Sequence, residues 1–376
     1  MSTAPSRSRP IRVAHFLEEL GSGGVEQRRL QLVRRLSRDE VSQMVVCTEE
    51  TSPIAHAIRE AGAEVVALGR VRSLLDPGRY RRAAALLREW DADIAHGAII
   101  EGFTAAVIGG RLAGTPVTIL EETSTPLRRR WRATLLCRAV ARLATACVGV
   151  SPAVGAYLHE GLGVPKDRIA VIPNGVERPR RADAAELTRL RLALGLPPDA
   201  FVVGAVGRLH EPSKRFSDLL RALALLRDLP VVVLFVGKGP DRGLLESLAA
   251  QLGVEDRVRF IGFQTDVGPY YSLMDVSVLS SVSESFGLVV AEAMRSAVPV
   301  VATAVGGVPS VVGDTGRLVP PRDPDALAQA VRDLWGDPDT RQRLGVEGQR
   351  RADALFSAER YVGDVMQLYR RLLQDS

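Results

Sequence analysis

Apolar positions along this chain fall in short β-branched runs separated by longer stretches of helical period. In the first half the runs are Ile11–Leu17, Met44–Cys47, Glu64–Leu68, Asp93–His96, Val117–Leu120, Ala146–Val150 and Ile169–Ile172. In the second they are Phe201–Val206, Val231–Val236, Val258–Ile261, Val276–Leu279 and Val298–Ala302. Helical spacing fills the intervals, as in Val25–Leu36, Arg79–Trp90, Phe216–Arg227 and Leu244–Leu252. Near-continuous Val/Ile runs divided by helices predict parallel strands covered on both faces. The pattern lapses between about residues 175 and 200, a polar, Arg-rich stretch ending in Pro197-Pro198, and resumes at Phe201. The expected fold is therefore α/β, with two doubly wound Rossmann-like domains over 1–180 and 181–356 facing a cleft. A last helix, Ala358–Leu373, occupies the remaining 357–376 and is free to pack on either domain. Ligands in such sheets bind beyond the carboxyl ends of the strands, so the loops there are where chemistry is expected.

Composition narrows the class. A chain of 376 residues, 46% hydrophobic and 25% charged, is globular and long enough for two cores. No apolar run approaches the ~18–20 residues that span a bilayer. Residues 1–10 are Ser/Pro/Arg-rich and read as a disordered leader, not a signal peptide. Three cysteines in apolar surroundings suit a reducing cytosol, and no Cys or His spacing resembles a metal site. Residues 1–180 hold 26 basic and 19 acidic side chains, whereas the rest is slightly acidic. The arginines lack interleaved aromatics, which argues against nucleic acid as a partner.

Three elements carry candidate chemistry. The first is Ser280–Gly307. Here a strand is followed by a helix through Glu292–Met294, so amides at Phe286, Gly287 and Leu288 would face an anion. Glu292 shares a helix face with Leu288, and its carboxylate suits a ribose diol. Glu284, ahead of the helix, reaches beyond the phosphates. The competing reading is an ordinary helix with Ser285 as N-cap and a solvated Glu292. The second is Val206–Lys214, where Arg208 and Lys214 suit a diphosphate or are plain surface cations. The third is Glu19–Glu26, a phosphate-cradling turn through Gly23 and Gly24. Gly21 and Gly23 fit a dinucleotide fingerprint, but its third position is Glu26. With Glu49 beyond the second strand, this remains a weak signal for a nicotinamide cofactor.

Together these elements resemble glycosyltransferase family 4, the retaining GT-B enzymes, over most of the chain and most strongly from Val148 to Pro321. Glu284, Phe286, Gly287 and Glu292 match its E-F-G-type motif with a second Glu eight residues on. Also similar are Val150-Ser151, the segment Val171-Ile172-Pro173-Asn174-Gly175-Val176, the run Pro299–Thr303 with Gly306-Gly307, and Gly316–Pro320. The resemblance implies a C-terminal donor domain, an N-terminal acceptor domain and a last helix that crosses back to the first domain. It implies ribose on Glu292, the donor sugar on Glu284 and the diphosphate on Arg208 and Lys214. The turn Gly262-Phe263-Gln264 is a candidate for the base.

The chain departs from the pattern in several places. One extra residue separates Arg208 from Lys214, making Arg215 a candidate substitute. Ser285, Ala297 and Ser310 stand where Gly, Gly and Glu are usual. Glu122 occupies the position of a common sugar-side His, and a carboxylate donates no hydrogen bond unless protonated. Glu122, His96 and Asn174 are assigned to the acceptor or sugar side, with a structural role the competing reading for His96. His15 and Cys47 read as core, and Ser151 as an N-cap. The segment Arg128, Arg129, Arg130, Trp131, Arg132, Arg138 and Arg142 is either a solvated basic helix or one that lies on a membrane.

The expected reaction transfers a hexosyl-type group from a nucleoside diphosphate sugar to an acceptor hydroxyl, with retention, in bacterial glycan, glycolipid or glycosylated metabolite synthesis. Arg208, Lys214 and Glu284 are its catalytic candidates. The cations remove the need for a metal, and no cofactor is expected. A cytoplasmic location, a lipid-linked acceptor and peripheral contact with an anionic membrane fit the charge distribution. The rivals are a nicotinamide-dependent oxidoreductase, a non-catalytic sugar-nucleotide-binding subunit and a sugar-nucleotide epimerase.

Overall fold

The computed structural model describes residues 9–21, 23–49, 52–69, 73–124 and 131–376. Residues 1–8 of the leader and the arginines at 128–130 lie outside the described residues. The chain divides into a first unit, 1–175 with 358–376, and a second, 176–357. The division falls at 175/176 and 357/358, where the sequence pattern suggested 180/181 and 356/357.

The first unit is built on seven parallel strands: β1 (Ile11–Phe16), β2 (Val41–Cys47), β3 (Glu64–Ala67), β4 (Ile94–Ala98), β5 (Val117–Glu122), β6 (Ala146–Gly149) and β7 (Ile169–Val171). Their order is β3-β2-β1-β4-β5-β6-β7. The order reverses between β1 and β4, whose register pairs His15 with His96. Helices after a strand run back over a sheet face, so β-branched residues are buried on both sides. The last helix, Ala358–Gln374, is amphipathic in the strict sense. Tyr361, Val362, Val365, Met366, Leu368, Tyr369 and Leu372 form its buried stripe. They share a core with Val13, Ile94, Val117 and Val148 of the first sheet. Each fully buried aliphatic side chain contributes about 1.5–3 kcal/mol, enough for the five aliphatic members of this stripe to hold the helix there.

The second unit has six parallel strands: β8 (Phe201–Val206), β9 (Val231–Val236), β10 (Val258–Gly262), β11 (Val276–Leu279), β12 (Val300–Thr303) and β13 (Arg317–Val319). Their order is β10-β9-β8-β11-β12-β13, reversing between β8 and β11. Two elements were not legible in the pattern. Edge strand β13 is three residues long with two exposed, too short for a periodic signal. The helix Ala184–Ala193 lies in the polar stretch and buries no residue; it is set instead by its Asp183 cap, which accepts from Glu186 N at 2.8 Å.

Candidate active site

In the second unit, the loops beyond β8, β9, β10 and β11 interlock. Gly207, after β8, has φ +150°, and Gly237, after β9, has φ +149°. A Cβ on Gly237 would stand 1.9 Å from the Gly207 carbonyl oxygen, so only glycine permits this approach. Gly237 N donates to Gly262 O at 2.9 Å, drawing in the turn after β10. There Phe263 is exposed with the Lys238 ammonium 5.1 Å from its ring centre.

Beyond β8 the chain forms a short helix, Glu211–Lys214, in which Asp241 accepts from Glu211 N at 2.7 Å. It docks on the loop after β11: Val282 N donates to Ser213 O and Ser280 Oγ to Lys214 O, both at 2.9 Å. Lys214 Nζ thereby reaches Glu284 Oε1 at 2.5 Å, an oxygen that also accepts from Ser281 Oγ at 2.9 Å. Arg215 is turned away by a left-handed backbone (φ +53°) and forks onto Asp218 at 2.7 and 3.0 Å. The extra residue is thus absorbed in the short helix, and Lys214 is the cation beside Glu284. Arg208 is exposed and has no ion-pair partner among the described residues. Gly306 and Gly307 clamp the backbone of Glu284. Gly307 N donates to Glu284 O at 3.0 Å, and a Cβ on Gly306 (φ +51°) would lie 1.8 Å from that oxygen.

The helix beyond β11 is Leu288–Arg295. Its N-cap is Gly287 in the left-handed region (φ +94°), with no side-chain cap. Ser285 is therefore not the N-cap: the turn needs a residue that takes positive φ, and only Gly287 does so freely. The amides of Phe286, Gly287 and Leu288 have no acceptor among the described residues. The Phe286 ring is core, edge-on to Phe356 at 5.4 Å, so this residue offers only its amide. Glu292, four residues on, is not freely solvated. Burial pushes its carboxyl up to about 7, although the buried Tyr271 hydroxyl donates to Oε2 at 3.1 Å and pulls the other way. Tyr271 escaped the sequence reading because nothing in its spacing links it to Glu292.

The first unit treats its candidates differently. Gly23 is the extended N-cap of the helix Gly24–Arg35, with no side-chain cap. The Glu26 carboxylate folds back over this turn, so that a Cβ on Gly23 would meet Oε2 at 2.5 Å. Burial pushes that carboxyl up. An acid here opposes a pyrophosphate, which weakens the dinucleotide reading.

His96 is built into the core of the first unit. It is 1% exposed and both ring nitrogens are engaged. Nε2 lies 3.1 Å from Glu121 Oε2, and Nδ1 lies 2.7 Å from the Tyr369 hydroxyl on the last helix. The network assigns the tautomer: Nε2–H donates to Glu121 and Nδ1 accepts from Tyr369. Burial, then the Arg29 guanidinium, lowers His96 to about 4. Arg29 donates to Glu121 in turn, with Arg28 at 3.9 Å from its other oxygen. Burial alone would raise the Glu121 carboxyl; Arg29, His96 and Arg28 hold it well below the usual range. His15 lies beside His96 and bonds Gln43 at 3.2 Å. His15 and Cys47 are buried, and Ser151 caps Val154 N at 3.3 Å.

Glu122, one residue beyond Glu121, points to the other side of the strand. It is buried and accepts from Ser124 N and Oγ at 3.1 and 2.9 Å, bracing its own loop. Asn174, beyond β7, is buried with Oδ1 unpartnered among the described residues. A further group, invisible in the sequence, gathers beyond β1 and β4. The Glu18 carboxyl is pushed up by burial, then by the neighbouring Glu101 and Glu19 carboxylates. Among the described residues no group of three or more His, Cys, Asp or Glu could hold a metal ion, and no helix is long and apolar enough to cross a membrane.

Two Rossmann-like parallel sheets of seven and six strands define an α/β protein of the GT-B class. Sequence comparison gives the family. Residues 22–180 match Glycosyltransferase Family 4 and residues 200–337 match Glycosyl transferases group 1. The chain thus carries a glycosyltransferase family 4 domain followed by a glycosyl transferases group 1 domain. It is 39% identical over 240 residues to the D-inositol 3-phosphate glycosyltransferase of Streptomyces coelicolor, across 57% of this chain and 51% of the relative. The Corynebacterium urealyticum enzyme of the same name is 37% identical over 232 residues, 58% of this chain and 54% of its own. The chain thus spans about half the length of these curated relatives. Among solved structures, a glycosyltransferase from Rickettsia africae superposes with a TM-score of 0.87 at 17% identity, covering 98% of this chain and all of that one. Anabaena HepE in complex with UDP and glucose gives 0.84 at 20% identity, covering 96% and 100%. These likenesses fix the GT-B fold.

Proposed function

We propose that this protein is a retaining glycosyltransferase that moves a hexosyl-type group from a nucleoside diphosphate sugar to an acceptor hydroxyl, without a metal, in the cytoplasm. The observation that carries the reading is the meeting of Lys214 and Glu284 beside unclaimed amides at Phe286–Leu288. In the reaction the acceptor oxygen bonds to the anomeric carbon as the bond from that carbon to the diphosphate oxygen breaks. The acceptor proton passes to the departing phosphate. Negative charge grows on the leaving group, where Lys214, Arg208 and the helix N-terminus stabilise it in place of a metal ion. Glu284 receives sugar hydroxyls, Glu292 the ribose diol, and the Gly262-Phe263 turn the base. The UDP and glucose in the HepE complex and the cyclitol phosphate in the relatives' name suggest the first donors and acceptors to try.

A thermal-shift panel of UDP, GDP, ADP and TDP, followed by transfer of labelled sugar, tests the reading. A nucleotide at ~100 times its Kd adds ~2.7 kcal/mol to the folded state. Transfer is expected to persist in excess chelator. Activity lost to the chelator and restored by magnesium or manganese would overturn metal independence, and NADH oxidation without nucleotide binding would overturn the class.

The assignment of Glu292 also sets a pH dependence. Ribose hydroxyls donate to the charged carboxylate and favour it, so binding lowers a pKa that starts near 7. Below that value the free protein must first lose a proton. Nucleotide affinity is therefore expected to weaken about tenfold from pH 8 to pH 6. Glu292→Gln should bind more weakly and flatten the profile. Calorimetric titration that finds the same slope in the variant removes Glu292 from the ribose site.

A further inference from the structure

The helix Trp131–Leu143 of the first unit has a solvent face of unusual composition. Cys137, Val140 and Ala141 anchor its other side in the core. Trp131, Leu135, Arg138, Ala139 and Arg142 form one exposed stripe, flanked by Arg132 and Leu143. Trp131 is 68% exposed and Leu135 53%. The helix is held rigidly: Arg138 Nε donates to Gly161 O at 3.1 Å and Arg111 Nε to Leu143 O at 2.7 Å. The patch extends beyond the helix. Leu112 adjoins through Arg111, and Leu75, 72% exposed, lines an apolar groove of about 550 Å³ with Leu74, Trp131, Arg132, Ala133 and Leu136. Among the described residues of the first unit, five of the six exposed large apolar side chains lie here, the sixth being Val171.

Charge singles out the same surface. The described residues 131–159 contain three arginines, Arg132, Arg138 and Arg142, and no Asp or Glu. Asp76, the acid closest in sequence to Leu75, is spent as the cap of Gly78 N at 2.9 Å and faces Arg82. We infer that this face docks on an anionic lipid bilayer, with Trp131, Leu135 and Leu75 entering the headgroup boundary and the arginines meeting lipid phosphates. An aromatic ring with a cation stacked over it, as Arg132 stacks over Trp131 at 5.2 Å, suits that boundary, where one end of the side chain is apolar and the other wet. A nucleic acid would engage the arginines but leave the exposed Leu and Trp uncovered. The contact is peripheral and salt-sensitive, because each basic residue near such a surface acts within a Debye length.

Co-sedimentation of the full chain with vesicles of phosphatidylcholine, alone or mixed with phosphatidylglycerol, tests this. Binding is expected only to the anionic vesicles and should fall sharply at about 0.5 M salt, where the Debye length is about 4 Å. Trp131 fluorescence should shift to the blue on binding, and Trp131→Phe should bind yet lose most of the shift. Arg132→Glu/Arg142→Glu should weaken binding by about tenfold or more. Trp131→Ser/Leu135→Ser replaces side chains already in solvent and should reduce binding at low salt with thermal unfolding unchanged. Equal recovery with both vesicle types overturns the inference. So does wild-type binding by the serine variant, or a short DNA duplex that binds more tightly than the vesicles through the same arginines.

Discussion

Lys214→Ala is expected to lower kcat by about 10²–10³-fold, the cost typical of removing one preorganised group from developing negative charge. KM for the donor should rise far less, because the charge that Lys214 meets peaks in the transition state. The structure adds a second consequence. Lys214 is the cation on Glu284 Oε1, so its loss leaves that oxygen with the Ser281 hydroxyl. Lys214→Arg should recover little, since a planar fork does not fit the space of a single ammonium contact. Arg215→Ala should be nearly silent in turnover, because Arg215 is spent on Asp218. Steady-state kinetics with a labelled donor decide the matter: if Arg215→Ala is the damaging change, the diphosphate cation has been misassigned.

The largest stability effect is expected at Glu121. Glu121→Ala leaves Arg29, 1% exposed, without its carboxylate partner, and removes the acceptor that orients His96 toward Tyr369. Breaking a buried ion pair by deleting one partner costs about 3–5 kcal/mol. The loss should appear as a marked fall in thermal midpoint, and truncating the last helix before Tyr369 should lower it by overlapping, non-additive amounts. Tyr369→Phe, which deletes only the hydroxyl, should cost about 0.5–1.5 kcal/mol. Near-wild-type unfolding of Glu121→Ala would mean that the network is redundant and that apolar packing alone holds the helix. Gly306→Ala offers a local contrast: its Cβ would meet the Glu284 carbonyl, so turnover should fall together with stability.

The sequence by itself determined the succession of parallel strands and helices, because burial on both faces leaves a local signature in each Val/Ile run. Phe201–Val206 and Val231–Val236 are strands over the same residues that the runs predicted. It also singled out the loops that carry the candidate site, since ligands in such sheets lie beyond the strand ends and the charged and glycine residues there stand out from their surroundings. What it left open were pairings between distant residues. Lys214 and Arg215 are equivalent cations in the sequence; a left-handed turn at Arg215 decides which one meets Glu284. Glu121 and Glu122 are equivalent acids, yet strand alternation sends one into a buried network and leaves the other to brace a loop. His96 reads as a strand-end residue near a site until Tyr369, 273 positions later, closes over it. Tyr271 acquires a partner in Glu292 only when the two helices pack. Periodicity is a property of neighbours along the chain, whereas these contacts depend on crossovers between strands far apart in it. The desolvation that shifts Glu292 and His96 exists only once those crossovers are made.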